Sequence, residues 1–195
     1  MSVQPIESLP RAELAAAGAM LARAYLHDPQ FVYLLPDEDE RRRRAPWFFH
    51  AVLRYSAAVG TVLATDGGVA ILIPPGGHAP SFRRMVRSGL IVAPFRLGPG
   101  AVQRLSAFAA ASREVRDRAV QGPFWYVGGI GVDPERQGRG IGTALMEELV
   151  ARAGRPLCLE TANERNVAWY ERLGFELVGE GRVPDGPHLW SMRSG

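Results

Sequence analysis

The stretch VDPERQGRGIG, residues 132–142, sets three glycines and two arginines between the apolar run FWYVGGIGV and a helix striped by Ile141, Leu145, Leu149 and Val150. A strand entering a helix through such a loop brings the helix's first, unpartnered amides and the positive end of its dipole to one place. Side-chain-free positions there let the backbone approach whatever those amides bind, and anions suit them best. Glycines 128, 129 and 131 inside the preceding strand point to a bulge or a close backbone approach.

Two phosphate-cradling loops fail on composition or spacing. A Walker loop needs a lysine, and all 23 basic residues of this chain are arginine. The same absence excludes lysine Schiff-base chemistry. A dinucleotide-binding turn beginning at Gly138 and Gly140 would place its third glycine at 143, where Thr143 stands. Glu160, 20 residues after Gly140, imitates the ribose-binding acid of that motif. The loop nevertheless comes about 50 residues from the end, too late to build a dinucleotide-binding sheet.

The remaining sequence supplies elements around this loop. Ser8, Pro10 and the apolar spacing of Leu14, Ala17, Leu21 and Ala24 predict a helix over 8–25, broken by HDPQF. A second helix is expected from about Glu40 to Val59, with Trp47, Phe48, Val52 and Tyr55 on its apolar face and Gly60 as its stop. TVLAT and VAILI, joined through DGG, read as a hairpin. Residues 74–98 carry four prolines and four glycines and are expected to be largely irregular, with a short helix near SFRRMVRSG. A longer helix is expected from Pro99 to about Val120, then the glycine-bearing strand. PLCLET, NVAWYERLG, FELVGEGRV and HLWSM follow as strand, helix, strand and strand.

A length of 195 residues suits one domain over the whole chain, 1–195, and 47% hydrophobic with 22% charged residues excludes disorder and collagen. A formal charge of +3 argues for no nucleic acid partner, and the RRRR at 41–44 follows DEDE at 37–40, which reads as a solvated helix face. No stretch approaches the roughly 20 apolar residues of a membrane span, so no membrane is expected and a cytoplasmic location is the default. Cys158 between leucines reads as a buried small hydrophobe. His27, His50, His78 and His188 lack metal-ligand spacing, so no metal is expected.

The spacing Gln137-x-x-Gly140-x-Gly142 resembles the pyrophosphate loop of the GNAT family of acyl-CoA-dependent N-acetyltransferases, and ETANERNVAWYERLGF resembles that family's second block. From Phe124 to Met192, including the closing VPDGPHLWSM, the chain is similar to the puromycin N-acetyltransferase-like branch. The first 120 residues match loosely, HDP being the best anchor, and the family draws much of its substrate pocket from that half. The resemblance implies an α/β (α+β) fold: a mixed central sheet flanked by helices, whose two parallel strands, here FWYVGGIGV and PLCLET, splay apart to form the acyl-CoA cleft.

It also implies an acetyl-CoA-dependent N-acetyltransferase moving an acetyl group to a primary amine of a small molecule by direct attack through a tetrahedral intermediate. Acetyl-CoA is the co-substrate; protein or peptide amines, or a non-catalytic acyl-CoA sensor, are the alternatives, and family members are often homodimers. In the loop opened by Gln137, the amides of Gly138, Arg139, Gly140, Ile141, Gly142 and Thr143 would hold the diphosphate, with Arg136 and Arg139 either as forked donors to it or as solvent-facing arginines. Backbone groups of Ile130 and Val132 would bond the pantetheine arm as an added strand does, and Asn166 would contact that arm. Tyr170, four residues on and so on the same helix face, would protonate the departing thiolate. Glu160 is the first candidate base, Asp28 the second and Tyr126 with a water chain the third; Glu160 holding a loop and Asp28 capping a turn are the structural alternatives. Phe31, Tyr33, Trp47, Trp125 and the PPGGHAPSF loop are expected to wall the acceptor, with Asp28 and Tyr126 beside it.

Overall fold

The computed structural model describes residues 5–77, 81–154 and 156–195. Its described residues contain seven strands: β1 (Glu7–Ser8), β2 (Thr61–Thr65), β3 (Gly68–Ile73), β4 (Trp125–Val132), β5 (Leu157–Thr161), β6 (Phe175–Arg182) and β7 (His188–Ser194). They form one sheet in the order β1-β2-β3-β4-β5-β7-β6. All neighbours are antiparallel except β4 and β5. The helices are α1 (Leu14–Ala24), α2 (Pro29–Leu34), α3 (Glu38–Ala57), α4 (Phe82–Ser88), α5 (Ala93–Leu97), α6 (Pro99–Ala119), α7 (Ile141–Ala153) and α8 (Glu164–Arg172).

Strand alternation divides the core into two layers. On β3, Val69, Ile71 and Ile73 face a cluster built with Leu14, Leu21, Phe31, Phe48, Phe49 and Leu53, so α1, α2 and α3 cover that side. Ala70 and Leu72 point the other way, with Val127, to meet Ile141, Leu145, Met146 and Leu149 of α7. A third, smaller cluster joins Phe108 and Ala111 of α6 to Val183 and Leu189. Cys158 is fully buried in β5, and burial pushes its thiol up to about 11, the inert behaviour expected of a core cysteine.

Two irregularities open the sheet beside β4. The β3–β4 register jumps between Ile71, opposite Gly129, and Leu72, opposite Val127, leaving Gly128 as the extra residue of a bulge. The parallel β4–β5 ladder then covers only Trp125 with Leu157 and Tyr126 with Cys158, although β4 continues to Val132 and β5 to Thr161. Beyond Tyr126 the two strands part, giving the splay expected of this pair.

Several expectations need correction. Ser8 does not cap a helix; it pairs with Leu63 in β1, and α1 begins only after a 3-10 turn at Arg11–Glu13. HDPQF breaks α1 but starts α2, because the Asp28 carboxylate accepts from the Gln30 amide and Pro29 fits the first turn. Residues 81–98 are more helical than their composition suggests: Gly89 and Gly98, both at φ 88°, close α4 and α5 and leave the helices intact. His78 lies outside the described residues. In the RRRR run, Arg42 and Arg44 pair with Glu38 and Glu40, but Arg41 is buried and donates to the carbonyls of Leu26, Leu35 and Pro36, tying the α1–α2 and α2–α3 connections together. Among the described residues, no helix is long and apolar enough to cross a membrane.

Candidate active site

The splay opens into a cleft of about 850 Å³ lined from five directions. Its first wall is the loop entering α7. Gly138 and Gly140 take φ of 75° and 80°, and at neither would an added Cβ meet another atom within 4 Å. This left-handed backbone, which glycine adopts without strain, turns the chain into the helix. Ala144 is the first amide to bond back, to the Gly140 carbonyl at 3.0 Å, so the Ile141, Gly142 and Thr143 amides have no partner within the helix. Gln137, Gly138, Gly140, Ile141, Gly142, Thr143 and Arg136 line the cleft.

The two loop arginines are engaged elsewhere. Arg136 lies across the Gly67 turn and forms an ion pair with Asp66, while Arg139 donates to the Glu135 carbonyl at 3.2 Å and does not line the cleft. Forked donation to an anion was expected of both; their observed bonds fasten the loop to the β2–β3 turn and to itself. Arg165, at the start of α8, does line the cleft. The sequence presents it within the ERN triplet, and nothing in its spacing singled it out.

The exposed edge of β4 forms the second wall, and side chains occupy its backbone groups. The Tyr25 hydroxyl donates to the Ile130 carbonyl at 2.9 Å and accepts from the Ile130 amide at 3.3 Å. Gln137 Nε2 donates to the Val132 carbonyl at 3.2 Å. Ile130 and Val132 were expected to offer these groups to a ligand; in the structure a tyrosine bonds both Ile130 groups and a glutamine the Val132 carbonyl. The close approach that glycine signals here is that of α1: a Cβ at Gly131 would come within 2.5 Å of Leu21 and 3.2 Å of the Tyr25 ring.

Glu160 and Tyr126 form the third wall. Tyr126 donates to the Glu160 carboxylate at 2.7 Å, and Arg116 of α6 approaches both carboxylate oxygens at 3.3 Å. The Arg116 and Glu160 side chains are only 7% and 2% exposed. Burial pushes Glu160 above the ordinary glutamate range, against the opposing pull of Arg116 and the Tyr126 hydroxyl. The Tyr126 phenol is raised by burial and by the adjacent carboxylate. Arg116, 44 residues upstream of Glu160, carried no sequence signal as its partner.

The remaining walls come from α8 and α2. Asn166 and Tyr170 line the cleft from one face of α8, and Tyr170 is buried between Trp169 and Phe175. Burial, with Tyr25 and Asp28 nearby, raises its phenol and keeps it protonated. Asp28 lines the cleft while capping α2; its carboxylate accepts from the Gln30 amide at 2.9 Å, and burial outweighs this bond and the pull of the Phe31 amide and Asn163 side chain and raises its carboxyl. Phe31, Phe48, Phe49 and Phe108 complete an aromatic lining.

Three expected acceptor-wall side chains lie elsewhere, and of the PPGGHAPSF loop residues 78–80 are outside the described residues while none of 74–77, 81 and 82 lines the cleft. Trp125 precedes Tyr126 on a strand, so it must face the opposite side of the sheet, where it packs against the α7 layer. Tyr33 packs over Gly186 and donates to the Pro184 carbonyl, bracing the β6–β7 turn. Trp47 is outside the cleft, beneath the Arg96 guanidinium.

The chain matches the sequence profile of the Acetyltransferase (GNAT) family over residues 20–175. It is 49% identical over 61 residues to the N-alpha-acetyltransferase RimI of Mycobacterium tuberculosis, a match covering 29% of this chain and 39% of that relative's length. Its fold resembles a histone acetyltransferase HPA2 and related acetyltransferase from Corynebacterium glutamicum, with a TM-score of 0.73 at 23% identity over 100% of this chain and 96% of that one. It also resembles arylalkylamine N-acetyltransferase 2 from Aedes aegypti, with a TM-score of 0.62 at 10% identity over 97% and 96% of the two chains.

Proposed function

The chain belongs to the acetyltransferase (GNAT) family, and from that premise we propose that it transfers the acetyl group of acetyl-CoA to the primary amine of a small molecule with an apolar body. One observation carries the reading: unpartnered helix amides, a buried carboxylate and a buried phenol line a single cleft at the point where β4 and β5 part. Acetyl-CoA would supply the thioester that an amine attacks directly.

Each wall has a task in this proposal. The amides of residues 137–143 hold the diphosphate, the helix dipole adding to their pull. Asn166 and the β4 edge align the pantetheine arm, which competes with Tyr25 and Gln137 for the Ile130 and Val132 groups. Glu160 takes a proton from the attacking nitrogen; its raised carboxyl suits it as a base closer to neutral pH than an ordinary glutamate. Tyr170 gives its proton to the sulfur as the carbon–sulfur bond breaks, so amide and free thiol leave with the protons balanced. The aromatic lining excludes water from the thioester. The phenylalanines that line the cleft, Phe31, Phe48, Phe49 and Phe108, favour a small amine with an apolar body over a protein.

Thiol release from acetyl-CoA tests the reading, using puromycin, arylalkylamines, polyamines and a peptide with a free α-amine. Release with a small apolar amine is expected. Release confined to the peptide would replace the small-molecule reading with the protein one. Acetyl-CoA binding without release on any amine would favour the sensor.

A further inference from the structure

Antiparallel neighbours such as β3 and β4 can be joined by two to five residues. Here residues 74–124 intervene, and α6, the last helix among them, packs across β6 and β7 beside the cleft. One face of α6 carries Phe108, Ser112 and Arg116 at successive four-residue steps, all three buried. Arg116 sits behind Glu160 as its ion-pair partner, while Phe108 and Ser112 line the cleft itself.

Ser112 is the informative member. It is 6% exposed, and its Oγ has no hydrogen-bond partner among the described residues. A buried helical serine ordinarily bonds back to a carbonyl one turn earlier, and leaving the hydroxyl unmatched is costly. A hydroxyl both donates and accepts, so either a hydroxyl or a carbonyl oxygen on an entering molecule would complete it. Phe108, one turn away, offers that molecule an apolar surface, and the nearby Glu160 carboxylate lies where its amine reacts.

We propose that the Phe108–Ser112 face of α6 selects the acceptor, and that the acceptor is an amine on an aromatic or similarly apolar body bearing an oxygen that hydrogen-bonds to Ser112. This rests on the acetyltransferase reading above and adds the substrate's second recognition element. The helical excursion between β3 and β4 is then the part of the chain that sets specificity.

Matched amines test it. Phenethylamine is compared with tyramine, phenylethanolamine and phenylalaninamide, which add a phenol, an aliphatic hydroxyl and an amide carbonyl. In the wild type at least one oxygenated amine should exceed phenethylamine in kcat/KM by about three- to ten-fold, carried by KM, the worth of one net hydrogen bond. Ser112→Ala should collapse that ratio toward one while acetyl-CoA binding is retained, whereas Glu160→Gln should lower kcat for all four and keep the ratio. No preference in the wild type, or a preference that survives Ser112→Ala, overturns the inference. So does acetyl-CoA binding with turnover of other amines only, which leaves the acetyltransferase reading standing. Failure to bind acetyl-CoA removes both.

Discussion

Glu160 combines a carboxylate that burial drives toward its neutral form with two partners, Arg116 and Tyr126, that favour the charge. The acidic limb of kcat/KM should therefore fall above the ordinary glutamate value of about 4.3, and Glu160→Gln should remove that limb with most of the turnover. A pH–rate profile that is the same in both proteins would transfer the base role to another group. Asp28 tests the same physics through stability. Its folded carboxyl is raised, so the stability it contributes is complete below the ordinary aspartate range and is lost as pH rises through its folded value. Asp28→Asn keeps the helix cap and should raise the denaturation midpoint at neutral pH, with the gain vanishing in acid. A loss at pH 7 would mean that hydrogen bonds to the charged form outweigh its burial. At this scale, the resemblance to the acetyltransferase family pointed to Glu160, Asn166 and Tyr170, and the structure brings all three to the cleft. Only one of Trp125 and Tyr126 could face the cleft, a consequence of strand alternation that residue type alone did not choose.

At the scale of elements, the open edge of β4 is closed by the chain's own side chains, an arrangement with a measurable sign. If the pantetheine arm takes the Ile130 groups, Tyr25→Phe removes a competitor and should tighten acetyl-CoA binding by a few-fold, with some loss of stability in the free protein. Weaker binding would mean that the Tyr25 hydroxyl itself holds the ligand. The three strand glycines announced close approaches and a bulge, and Gly128 and Gly131 account for them separately, one by register and one by Leu21. What approaches could not be read, because Tyr25 is 105 residues from Ile130. Residues 81–98 show the opposite limit: glycine and proline mark where helices end as readily as where they are absent.

Across the whole molecule, the order of strands and helices after residue 124 was legible because loop, helix stripe and closing strands are local patterns. The α6 crossing was not, since its anchors are tertiary. The Arg116–Glu160 pair fastens that helix to β5 in the interior. Arg116→Met should cost about 3–5 kcal/mol by leaving a buried carboxylate unpaired, read from denaturant unfolding at pH 7. Adding Glu160→Gln should recover part of that loss, because the amide carries no charge to strand. A single mutant as stable as the wild type would show that Glu160 is already neutral there.

The loop at residues 137–143 is assigned to the diphosphate of acetyl-CoA, and calorimetric titration of acetyl-CoA into the wild type and two Gly140 variants checks that assignment. Gly140 sits at φ 80° with open space beyond it, so Gly140→Asn, whose side chain tolerates this backbone, should bind somewhat more weakly than the wild type. Gly140→Asp differs from that variant by one charge and should lose at least roughly ten-fold more affinity, about 1.4 kcal/mol. Equal affinities for the asparagine and aspartate variants would contradict the account, since no diphosphate could then lie against that loop.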